Sequence, residues 1–231
     1  VRVRDPITLV QRTQGIRGRT IAVVLVLACA LAAPAAPFVD SGSGRPDPVE
    51  PPPAVEPIVW RDSVALGSPS SGRLVRGVRL ASERAEFFTW DPVQRRRPNR
   101  SWRRWGTDRL VRIVLRVVRE YAAAHPNAPR VGIGDLSRPG GGPFGPKHAS
   151  HQNGLDVDVY YPRLDRRERP PRRVAQIDRR LAQDLVNRFV RAGAEVVYVG
   201  PATGFTGPRG VVQVLWNHDN HLHARFGAKT D

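Results

Sequence analysis

The sequence predicts an α+β domain, with a mainly antiparallel central sheet flanked by helices, over residues 61–231. Three observations lead there. Two long stretches place apolar residues at three- and four-residue spacing, several short stretches alternate apolar with polar residues, and Gly/Pro-rich segments separate them.

The first helix is expected from Thr107 to about His125, with Leu110, Val114, Val117, Val118 and Tyr121 as its apolar stripe. Thr107 or Asp108 suits its start and Pro126 its stop, so His125 reads as a helix-end residue. The second is expected from Val174 to Arg191, with Val174, Ile177, Leu181, Leu185 and Phe189 on one side and Gly193 beyond its end. Strands are expected at Val131–Leu136, Leu155–Tyr161, Glu195–Gly200, Val211–Trp216 and Leu222–Phe226, with a weaker one around Val75, Val78 and Leu80. Between Ser137 and Lys147 the density of glycine and proline bars regular structure. Trp102 and Trp105 read as packing residues beside the first helix, with a groove-lining role as the alternative.

Residues 1–60 have a different character. Arg2, Arg4, Arg12, Arg17 and Arg19 precede an uncharged apolar run from Ile21 to Ala33, then Pro34-Ala35-Ala36-Pro37. That order describes a secretory signal over residues 1–36. The run is shorter than the roughly 20 apolar residues of a membrane span. Cys29, the single cysteine, sits in a poor match to a lipoprotein processing site. Residues 37–60, with Pro51-Pro52-Pro53, read as a disordered linker. The formal net charge of +16 favours anionic partners. No helix-turn-helix, zinc-finger or RNA-binding signature accompanies it, so nucleic acid is not expected. Export makes the periplasm or cell envelope the expected location, with loose envelope association. The sequence carries no indication of oligomeric state.

Five of the six histidines fall in two clusters: His148 and His151, followed by Asp156 and Asp158, and then His218, His221 and His223. Period-two geometry puts Asp156 and Asp158 on one strand face, opposite Leu155, Val157 and Val159. His221 and His223 likewise share a face, with Leu222 turned away. If the aliphatic residues face the core, carboxylates and imidazoles from two strands meet in a cleft on the sheet. Such ligands suit a divalent ion, most naturally Zn²⁺. A catalytic zinc uses three protein ligands and a water, so some of these seven groups must orient ligands or move protons.

His148-x-x-His151-Gln152-x-Gly154-x-Asp156-x-Asp158, followed by His218-x-x-His221-x-His223, resembles the penicillin-insensitive murein endopeptidase family. That family is one of the zinc peptidases related to lysostaphin, the D-Ala-D-Ala peptidases and the hedgehog domain. The resemblance covers roughly residues 102–226. It implies His151, Asp158 and His223 as zinc ligands and His221 as base or transition-state stabiliser. His148 and His218 are implied as further catalytic-site histidines, and Asp156 is expected to orient a ligand. The implied substrate is the peptide cross-link of peptidoglycan, cut between D-alanine and diaminopimelate. A zinc D-Ala-D-Ala carboxypeptidase or dipeptidase, or a non-catalytic envelope-binding protein, is the alternative. One departure is the absence of a cysteine pair, since family members tend to carry disulfides.

Overall fold

In the computed structural model, residues 55–145 and 148–228 are described. The expected signal, Cys29 and most of the linker lie outside them. Glu56, near the start of the described chain, pairs with Arg79 at 2.7 Å and Arg104 at 3.1 Å. No helix among the described residues is long and apolar enough to cross a membrane.

Helix α1 (Asp108–Ala124) begins where the Thr107 hydroxyl accepts from Leu110 N–H. This satisfies one of the donors that every helix start leaves unpaired. Its apolar side, including Leu110, Val114, Val117 and Tyr121, is buried. The second expected helix is interrupted. A 3-10 turn (Val174–Gln176) is followed by extended backbone at Ile177, and α2 proper spans Arg179–Arg191. The cause is local: the Asp178 side chain caps Leu181 N–H and starts the helix afresh. Ile177 nevertheless remains in the core.

The main sheet has six strands, in the order β4 (Phe87–Thr89), β6 (Val131–Ile133), β7 (Asp156–Tyr160), β10 (His221–Arg225), β8 (Val196–Val199), β9 (Val212–Val214). Two short antiparallel pairs stand apart: β1 (Val64–Ser68) with β2 (Ser71–Val75), and β3 (Val78–Arg79) with β5 (Trp105–Gly106). The expectation of a mainly antiparallel sheet needs correction. The three central pairings are antiparallel, but β4–β6 and β8–β9 are parallel, so the sheet is mixed. Parallel neighbours need a long crossover. For β4–β6 the crossover contains α1; for β8–β9 it is the irregular segment 200–211.

Both helices pack in one core with Val157, Val159, Val197, Val199, Leu222 and Ala224. Alternation along β7, β8 and β10 therefore sends Asp156, Asp158, Tyr198, His221 and His223 to the opposite side of the sheet.

Candidate metal centre

The register of the two central strands creates the cluster. His223 lies opposite Asp158, and His221 opposite Tyr160. His151 arrives from the preceding loop with a left-handed backbone, φ +67°. Three bonds hold that conformation. Its N–H donates to Asp156 Oδ2 at 3.1 Å, its C=O accepts from the Ser137 hydroxyl at 2.6 Å, and its Nδ1 lies 2.5 Å from Leu136 O. Gly154, at φ +78°, completes the turn into β7, and its C=O accepts from Thr107 N–H, tying the loop to α1.

His151, Asp158 and His223 are all buried and together offer ligand atoms that lie within 4.8 Å of one another. Asp158 Oδ1 is 3.4 Å from His151 Nε2 and 3.0 Å from His223 Nδ1. The remaining ring nitrogens are committed elsewhere. His151 Nδ1 donates to Leu136 O, and His223 Nε2 lies 2.9 Å from Asp156 Oδ1. Anchoring one nitrogen so that the other points inward is how metal-binding imidazoles are oriented. Ligands of a tetrahedral ion with bonds near 2.0 Å sit about 3.3 Å apart, so the donor set fits zinc. Asp156 is fully buried and also accepts from Arg225 Nε at 2.9 Å.

The other expected residues converge on the same place. His221 Nε2 is 3.8 Å from Asp158 Oδ1, and its Nδ1 donates to Asn220 Oδ1 at 2.6 Å. His218 stacks on His221 at 4.7 Å, its Nδ1 donating to Trp216 O at 2.7 Å. His148 Nε2 is 3.2 Å from Asp135 Oδ2, and its ring meets Phe144 edge-on at 4.8 Å. His125 lies elsewhere, paired with Asp184 at the end of α1. A second group, Asp135, His148 and Asp158, is also close enough to hold an ion. Asp135, however, is already engaged by Arg103 Nη2 and by Arg103 Nε at 2.6 Å, and accepts from Asn99 Nδ2 at 3.0 Å. Such a bidentate guanidinium pair competes with a metal for the same oxygens.

Sequence reasoning passed over Asp135, Arg103, Phe144, Asn220 and Tyr198 as site residues. Asp135 closes β6 beside the motif strand, and its N-terminal neighbour Gly134 has an N–H that donates to Asp158 O. An acid following a short apolar strand was its only signal. Tyr198, whose ring is 5.7 Å from His223, has none beyond alternation.

The protonation pattern of the metal-free cluster follows from charge and burial. Burial alone would raise the Asp158 pKa, but the charges of His151 and His221 and hydrogen bonds from His151 and His223 hold it well below the usual range. Burial opposes Asp156 in the same way, and His223, His151 and Arg225 bring it down to about 2. For His151, burial works against the cation, but Asp158 outweighs it and raises the pKa to about 9. His223 is also raised, through Asp156 and Asp158 against burial. His221 goes the other way. Burial, aided by neighbouring imidazoles and only partly opposed by Asp158, lowers it to about 4. His221 is thus neutral near pH 7, with Nδ1 carrying the hydrogen and Nε2 free to accept a proton.

Comparison with known proteins identifies a family. The penicillin-insensitive murein endopeptidase family matches residues 65–196, which contain His148, His151, Asp156 and Asp158 and stop short of the last histidine cluster. Among individual relatives, the penicillin-insensitive murein endopeptidase of Escherichia coli O1:K1 / APEC is 33% identical over 126 residues, 54% of this chain and 40% of that protein. The protein of the same name from Yersinia enterocolitica is 33% identical over 96 residues, 42% of this chain and 32% of its own length. In Escherichia coli O157:H7 the identity rises to 48% over 56 residues, 24% of this chain and 19% of that one. Each alignment therefore spans well under half of the relative. The match across more than half of this sequence, including β7 and the loop that carries His148 and His151, establishes that the chain belongs to the penicillin-insensitive murein endopeptidase family.

Proposed function

We propose that this chain is a zinc-dependent peptidase that hydrolyses D-alanyl-diaminopimelate cross-links of peptidoglycan in the periplasm or cell envelope. The observation that carries this reading is the convergence of His151 Nε2, Asp158 Oδ1 and His223 Nδ1, with the second nitrogen of each imidazole anchored. Those three residues would hold the ion, and Asp156 would orient both His223 and the main chain of His151. When bound, zinc supplies a Lewis acid that acidifies water and polarises a carbonyl. His221, neutral and with Nε2 facing Asp158, accepts the proton of the attacking water. Once protonated, it stabilises negative charge on the carbonyl oxygen by donating a hydrogen bond. That proton then passes to the leaving amine, with His218, stacked on His221, or His148, held by Asp135, as the relay.

The test is product analysis with the zinc-loaded chain. A cross-linked muropeptide dimer should be split into two monomers, and a chelator should stop the reaction. Release of single D-alanine from a free pentapeptide, with the dimer left intact, would instead assign a carboxypeptidase. Stoichiometric binding of peptidoglycan without any product would assign a binding protein.

A further inference from the structure

A cavity adjoins the cluster and is unlike it in charge. Its volume is about 720 Å³, and its lining includes Tyr160, Asn220 and four arginines, Arg95, Arg169, Arg172 and Arg173. Tyr160 is the strand partner of His221, with ring centroids 6.0 Å apart, and Asn220 holds His221 Nδ1. The cavity therefore reaches the residue proposed as base through its two immediate neighbours.

The four guanidinium groups have no ion pair among the described residues. Nearby acids are taken: Asp91 by Arg100, Asp165 by Arg163, and Glu168 by Arg97 and Arg130. The one acid in the lining, Asp219, accepts from Ala202 N–H at 3.0 Å. Arg169 Nε is buried and has no hydrogen-bond partner among the described residues. Leaving a buried donor of a charged group unmade is costly, and such a donor awaits an acceptor. The planar guanidinium matches a carboxylate in two parallel bonds. Trp90 and Tyr160 add rings against which the aliphatic part of a peptide can rest.

We propose that this cavity is the arm of the substrate cleft that binds a free carboxylate of the peptide, with Arg169 and Arg172 as its principal ligands. The inference deepens the peptidase reading and rests on it. It makes the enzyme selective for stem peptides whose carboxylates are unmodified over those in which they are amidated.

The experiment compares two cross-linked dimers that differ only in free against amidated peptide carboxylates, using the zinc-loaded chain, R169Q and R172Q. Removing one hydrogen-bonded charge pair is worth roughly tenfold or more in binding. The free-acid dimer should therefore have a KM at least about tenfold below that of the amidated one. Each variant should raise the free-acid KM by a similar factor and collapse the preference. Arg172 is exposed, so R172Q guards against a folding defect in R169Q. In parallel, calorimetry of an uncross-linked tetrapeptide with free carboxylates reads binding without turnover, and the same two variants should weaken it about tenfold. Equal KM values for the two dimers, or variants that leave the preference and the tetrapeptide affinity unchanged, overturn the proposal. Absence of any hydrolysis by the parent chain would instead refute the peptidase reading, which the calorimetry separates from this one.

Discussion

Replacing Asp156 with asparagine keeps the side chain's shape and removes its charge. Asp156 is fully buried, accepts from His223 Nε2 and Arg225 Nε on one oxygen, and from His151 N–H on the other. An amide serves one side only. With its oxygen toward His223 and Arg225, its NH₂ group confronts the His151 N–H, donor against donor. Lowering the carboxyl pKa from 3.8 to about 2 corresponds to about 2 kcal/mol of stabilisation by the charged form. Because the folded-state pKa is the lower one, this contribution is present above about pH 4 and is lost as pH falls through about 2. The metal-free variant should be about 2 kcal/mol less stable than the parent by urea unfolding at pH 7, and the gap should narrow toward pH 2. Loss of the group orienting His223 should also weaken zinc binding by roughly 10- to 100-fold, read by competition with a chromophoric chelator. Equal stability at pH 7 together with unchanged zinc affinity would refute the orienting role.

Three further outcomes are expected. His221→Ala should retain zinc and lose roughly 10²- to 10⁴-fold in kcat, the range for a proton-transfer group; zinc loss measured by mass spectrometry would instead make His221 a ligand. In the metal-free chain, the His151 pKa is raised to about 9, so its contribution to stability is complete below about pH 6.5 and lost as pH rises through 9. The urea midpoint should fall over that interval, and a chelator-treated His151→Ala variant should show a smaller fall, the remainder coming from His223, whose pKa is also raised. Gly154→Ala should destabilise by about 2 kcal/mol or more, because its φ is +78° and the new Cβ would lie 2.8 Å from Leu74 Cδ1 and 3.1 Å from Thr107 N; thermal unfolding measures it.

What the sequence disclosed was mostly local. Alternation in Asp156-Val157-Asp158 and His221-Leu222-His223 was enough to place four polar side chains on one sheet face, and β7 and β10 do run antiparallel side by side. The stripe on α1 was equally readable, since a helical face repeats within a few residues. Strand direction at the sheet edges was not, because alternation is the same in parallel and antiparallel pairs. The break before α2 was hidden by Val174 and Ile177, which continue the apolar spacing across the Asp178 cap. Around the cluster, the Arg103–Asp135 pair spans 32 positions, so its supporting role exists only once β6 lies beside β7. The arginine-lined cavity likewise joins Arg95 to Arg169 and Arg172 through the fold alone.

The most direct measurement is zinc content set against hydrolysis of a cross-linked muropeptide dimer, for the parent chain, Asp158→Ala and His223→Ala. Each substitution removes one of the three convergent donors. The parent should carry one zinc per chain and split the dimer, and both variants should lose metal and turnover together while remaining folded by circular dichroism. A variant that keeps its zinc, or a zinc-free parent that still cleaves the dimer, would contradict a metal centre built on His151, Asp158 and His223.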